Sequence, residues 1–284
     1  MKCILQIFIL LTIVGCSPRV LVNNVKSSAS INTASFNEPF AFVFDKSINV
    51  DTSNYLGKIE ILEGGLTLKC DLPTIKSIAK EKAIELGGNL IYVYEHRTPD
   101  IKSTCHRIRG FIYRIENPRD YESEIVWSKN RKLEIQDFKG STEKRPFLAS
   151  TYSGFTYYII PKPLTKKYIV KSETVFDCFL SYFKHSENDQ STLEHEQIHF
   201  DMSELYRRKL IKEFIELRLK PKEIMASHEP IFDKYWKELT LKHDEYDSEV
   251  YRDRTRQIAW NKWIAKELRK YEQFSTTEIE IKGK

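Results

Sequence analysis

The sequence predicts an α+β protein: a small disulfide-linked α/β domain, then a larger domain whose long helix carries the pattern His-Glu-x-x-His. Three observations lead there. Residues 58–115 alternate strand, helix and strand patterns, with Cys70 before the helix and Cys105 after the next strand. "FTYYIIP" and "KYIVKSETVFDCFL" alternate as strands do. From Ser191 to Leu219 there is then neither glycine nor proline, and "LEHEQIHFD" lies in that run.

The elements follow in order. The leader "MKCILQIFILLTIVGC" has one lysine and an apolar run from Ile4 to Val14, too short to span a bilayer stably but of signal-peptide length. Its end, "IVGC", resembles the lipobox of bacterial lipoproteins. That resemblance implies a signal peptide over 1–15 and cleavage before Cys16, which would carry lipid and hold the protein on the extracytoplasmic side of a membrane in the cell envelope. The competing reading is an ordinary secretory signal with an incidental cysteine. Residues 16–37 are rich in Ser and Asn and read as a tether.

The small α/β domain is expected over 38–117. "KIEIL" and "LTLKC" read as strands around Gly64-Gly65, and "NLIYVYEH" and "IRGFIYRI" as two more. Between them "LPTIKSIAKEKAIELGG" opens on Pro73, closes on Gly87-Gly88 and spaces its apolar residues as a helix. In a compartment where disulfides persist, Cys70 and Cys105 are expected to pair, leaving Cys178 unpaired. The segment resembles the small α/β domain of the stress-sensor lipoprotein of the Rcs phosphorelay, and only the fold is carried over. His96 and His106 read as surface residues. "ENPRDYESE", residues 116–124, is expected to separate the domains.

Composition narrows the partners. Forty-five basic and 40 acidic residues are interspersed, giving +5 without a basic block, so nucleic acid is not expected.

The His-Glu-x-x-His pattern arises by chance in roughly 1–2% of chains with these His and Glu contents. Context adds weight. Ser191 or Thr192 can cap the helix start, and at about 100° per residue His195, His199, Met202, Tyr206 and Leu210 share one face. Both imidazoles can then reach one ion, with Glu196 to the side. The competing reading is a buried face whose histidines only hydrogen-bond. A third ligand is expected from a stretch opened by Pro230, whose stripe Phe232, Trp236, Leu239, His243, Tyr246, Val250 turns from apolar to polar. Asp247 lies close to that stripe and is the first choice, with Glu249 and His243 as alternatives.

The C-terminal half resembles a secreted bacterial zincin-like family known as domain of unknown function 922. The matching pieces run in the same order: "LEIQDFKG", "ASTYSGFTYYI", "LEHEQIHFDMSELYRR", "YDSE" and "QIAWNKWI". The resemblance implies a zincin-like metallopeptidase domain over 125–275, with His195 and His199 as Zn2+ ligands, Glu196 as catalytic glutamate, and a protein or peptide substrate. Two positions depart from the family pattern: Ile198 stands for a usual glycine, and Arg252 lies where a histidine usually follows YD-x-E. In the implied mechanism Glu196 takes a proton from water as it attacks the scissile carbonyl, and Tyr246 or His243 donates to the oxyanion. The alternative, which the two departures keep open, is a non-catalytic envelope lipoprotein that retains the shape as a binding or scaffold module.

Overall fold

The computed structural model describes residues 18–23, 38–64, 70–100, 103–162 and 164–284. Cys16, the leader and the expected strand at 66–69 lie outside them. The fold is mixed α+β with one disulfide, Cys70–Cys105. The chain divides into two compact units between Glu116 and Asn117.

In the first unit, β1 (Arg19–Asn23), β2 (Ala41–Val43), β3 (Tyr55–Leu62), β4 (Leu90–Arg97) and β5 (Arg107–Tyr113) form a sheet in the order β1-β3-β5-β4-β2. The pairings are antiparallel except β2 with β4. Strand β1 corrects the expected tether. "RVLVN" is β-branched enough to form a strand, and Val20 and Val22 pack on the unit's core. The polar residues around it hid the short apolar run.

Helix α1 (Leu72–Glu85) begins where the Asp71 side chain accepts from the Thr74 backbone N–H. It ends at Gly87, whose φ of 79° is the left-handed conformation that glycine adopts without a Cβ clash. Its buried face, Ile75, Ala79 and Ala83, meets Ile59, Ile61, Ile91, Val93, Ile108 and Ile112 of the sheet. The disulfide ties the helix entry to the β5 entry with a Cα–Cα distance of 4.9 Å, and both cysteines are buried. His96 and His106 meet, with Nε2 and Nδ1 3.0 Å apart.

The second unit opens with a 3-10 turn at Pro118–Tyr121, so the expected separator is partly folded. Its sheet is organised by β9 (Lys167–Asp177). Strand β8 (Ser153–Pro161) runs antiparallel along one side of β9. On the other side β6 (Glu124–Val126) pairs with its end and β11 (Glu278–Lys282) with its start. The boundary expected at 275 therefore cuts off the strand that completes the sheet. A two-residue ladder joins β7 (Ala149–Ser150) to β10 (Tyr182–Phe183).

Three helices cover this sheet: α2 (Asp189–Leu217), α3 (Pro221–Arg252) and α4 (Arg256–Lys270). Two expected helix starts need correction. Helix α2 begins directly after Asn188, whose side chain makes no cap bond, and not at Ser191 or Thr192, and the Asp189 carboxylate accepts from the Ser186 N–H just ahead of it. Helix α3 starts at Pro221 and runs through Pro230, which sits inside it. A first-turn proline with Glu223 accepting from the Lys220 N–H makes the earlier start, and nine helical residues precede Pro230, so one lost hydrogen bond does not end the helix.

Helix α2 is the core of the unit. Every residue from Ile198 to Arg208 is buried. Phe155, Tyr168 and Val170 of the sheet pack on it, as do Leu239, Tyr246, Trp260 and Ile264 of α3 and α4. Burial on all sides forces its charges to pair. Glu204 accepts from Thr174, Arg207 and Arg208, whose remaining N–H groups reach Ser172, the carbonyls of Leu268, Ser275 and Thr276, and Glu272. Among the described residues, no helix is long and apolar enough to cross a membrane.

Candidate metal centre

Helix α2 presents His195 and His199 one turn apart, and α3 brings Asp247 against them. Asp247 Oδ1 lies 3.0 Å from Nε2 of each histidine, and the two Nε2 atoms are 3.2 Å apart. Among the described residues these three form the group of histidines and carboxylates able to hold an ion. The corners of this triangle lie about 1.8 Å from its centre, less than a zinc–ligand bond of about 2.0–2.1 Å, so an ion can touch all three from one side. A set of two imidazoles and one carboxylate, with a fourth direction open, suits zinc.

Packing holds the ligands in place. The His195 ring stacks on Tyr246 at 4.6 Å with 20° between planes, and His199 meets His243 edge-on at 4.7 Å. Tyr246 is fully buried, and its hydroxyl donates to Gln257 Oε1 at 2.7 Å. Both imidazoles are therefore held by buried or half-buried rings of α3.

Burial alone would raise the Asp247 carboxyl, but hydrogen bonds from His195 and His199 and their charges overcome it and hold Asp247 well below the usual carboxylate range. Burial pulls His199 down, and the bond to Asp247 with the nearby Glu196 charge reverses that and raises it. His243 is pushed down to about 3, first by burial and then by the neighbouring His199. The carboxylate is thus anionic at neutral pH, as a cation ligand must be.

Glu196 is 4% exposed, and its Oε2 has no hydrogen-bond partner among the described residues. A buried carboxylate oxygen without a donor is costly unless something else is to meet it. Glu196 and His195 together line a cavity of about 310 Å³.

The alternatives for the third ligand lie elsewhere. Glu249 accepts from Arg256 at 2.7 Å and from the Trp260 indole at 3.0 Å. His243 touches the His199 ring but stays outside the triangle, its Nε2 buried and without a partner among the described residues. The residues that depart from the family pattern also stay clear of the ligands. Ile198 is buried in the core and lines a different groove, and Arg252 is exposed at the end of α3.

Sequence reasoning missed part of the cavity: Phe147 and Leu148 on one wall, Tyr251 and Arg254 on the other. Tyr251 was findable, since His243, Asp247 and Tyr251 recur every four residues and so share a helical face. Phe147 and Arg254 carry no local signal, because loop geometry brings them there. Compared with known protein families, curated proteins and solved structures, the chain matches none of them.

Proposed function

We propose that the second unit is a zinc-dependent, zincin-like hydrolase of peptide bonds, and that the protein is anchored to an envelope membrane through lipid on Cys16. The observation that carries the catalytic reading is that His195 of the His195, His199 and Asp247 triangle shares a cavity with buried Glu196, whose Oε2 has no partner among the described residues. A structural zinc site has no need of a free base beside it.

Zinc held by these three groups would supply Lewis acidity, lowering the pKa of water and polarising a carbonyl. Glu196 accepts the proton of the attacking water and returns it to the leaving amine. Tyr246 positions His195 by stacking, and its hydroxyl is committed to Gln257. Tyr251, more exposed and on the cavity wall, is better placed than Tyr246 or His243 to donate to a developing oxyanion. The cavity's apolar walls suit a peptide side chain.

The test is metal analysis of the purified chain beside its Glu196→Gln variant. The parent should hold one zinc. The variant should keep it while hydrolysis falls by about 10²–10⁴. Zinc that survives loss of both histidines would end the reading. Zinc that binds normally while broad peptide and protein libraries go uncut would favour the binding-module alternative. For the anchor, Cys16→Ser should abolish lipid labelling, and unchanged membrane fractionation would count against it.

A further inference from the structure

The cavity beside His195 and Glu196 is lined mainly by apolar groups, Phe147, Leu148, Val250 and Tyr251 among them. Phe147 is 54% exposed and Tyr251 60%, and their rings stack at 6.2 Å to form a lip. Such side chains gain from being covered, and on a monomer an exposed apolar cluster at a concavity marks a ligand site. At about 310 Å³ the volume is at the small end of ligand pockets, enough for one or two residues.

Arg254 is the cationic side chain in this lining. It forms no ion pair among the described residues: its chain neighbours Asp253 and Glu249 are engaged elsewhere, and Glu196, which shares the cavity lining, does not pair with it. Asp253 accepts from Thr255, and Glu249 accepts from Arg256 and Trp260. An uncommitted guanidinium at the mouth of an apolar pocket matches a ligand that joins an apolar side chain to a carboxylate.

We infer that this cavity recognises a peptide segment in which an apolar residue carries or adjoins a carboxylate, with the side chain between Phe147, Leu148 and Val250 and the carboxylate on Arg254. The inference rests on the hydrolase reading for its meaning as substrate choice, while the binding itself does not need the metal. The carboxylate comes either from the free C-terminus of the apolar residue or from a neighbouring acidic side chain. Cleavage would accordingly favour bonds next to such a segment.

The experiment uses the whole chain stripped of metal, so that no ion draws the carboxylate. Three probes built on N-acetyl-para-fluorophenylalanine are titrated by fluorine NMR: the free acid, the amide, and the amide extended by glutamate. The acid, the glutamate-extended probe or both should bind about fivefold tighter than the plain amide, the worth of a partly exposed ion pair. Arg254→Ala should erase that preference and Arg254→Lys should keep part of it. Which carboxylate probe shows the preference assigns its source. Equal binding of all three, no detectable binding at millimolar concentration, or a preference that survives Arg254→Ala would overturn the inference. Absence of zinc from the parent chain would instead defeat the hydrolase reading and leave this titration readable.

Discussion

Replacing Asp247 by alanine separates a metal centre from a merely hydrogen-bonded cluster. Its carboxylate is the one anionic corner of the triangle, 3.0 Å from each imidazole. Structural zinc bound through four protein ligands is worth about 10–16 kcal/mol, so one ligand's share is about 3 kcal/mol, or roughly two orders of magnitude in affinity. Glu249 lies two residues on and faces Arg256 and Trp260. Its ion pair is partly exposed, so Glu249→Ala should cost little stability through that pair and the unpaired indole, and leave metal binding alone. The assay is competition for zinc against a fluorescent chelator, with thermal melting in zinc-free buffer as the control for folding. Asp247→Ala should weaken zinc about 100-fold and melt close to the parent without metal. An Asp247→Ala affinity within about threefold of the parent, or a Glu249→Ala loss of equal size, would refute the assignment.

Three further outcomes follow from the packing. Reducing the Cys70–Cys105 bond, which spans 35 residues, should destabilise the first unit by about 4 kcal/mol, and denaturant midpoints that agree with and without reductant would contradict this. His96 and His106 are both lowered by burial, His106 also by the charge of His96, from an ordinary value of 6.5. The folded first unit therefore holds them neutral. Its stability should be fully present above pH 6.5 and decline as the pH falls below it, and His96→Gln should flatten the decline seen in hydrogen exchange of that unit. Glu204→Gln removes the carboxylate between Arg207 and Arg208, leaving the buried Arg207 guanidinium without a counter-charge and Arg208 with Glu272 alone, and should cost about 3–5 kcal/mol in urea unfolding. A loss below about 1 kcal/mol would mean that the cluster relaxes into solvent.

What was legible in the sequence is what local periodicity encodes. Four-residue spacing on an uninterrupted helix places His195 and His199 on one face whatever surrounds them. Alternating apolar residues announce β3, β4, β5, β8 and β9, and Pro73 and the Gly87-Gly88 pair bound α1 through backbone preference, the Asp71 cap being seen only in the structure. Cys70 and Cys105 could be paired because few cysteines remain once the leader is set aside. For the third ligand the sequence offered Asp247 as first choice among three residues of one helix, with Glu249 and His243 as alternatives that local pattern alone does not remove. Asp247, Glu249 and His243 differ little in local pattern, and the choice is made by which neighbour each meets: imidazoles for Asp247, Arg256 and Trp260 for Glu249, the His199 ring for His243. Strands β1 and β11 were hidden for a related reason. Each is short and polar-flanked, and becomes a strand because a longer partner offers its edge. Tertiary structure alone assembles the cavity, since Phe147 and Arg254 stand more than a hundred residues apart and meet only when α3 lies along α2. Periodicity is a property of one element, whereas a site is a property of the contacts between elements.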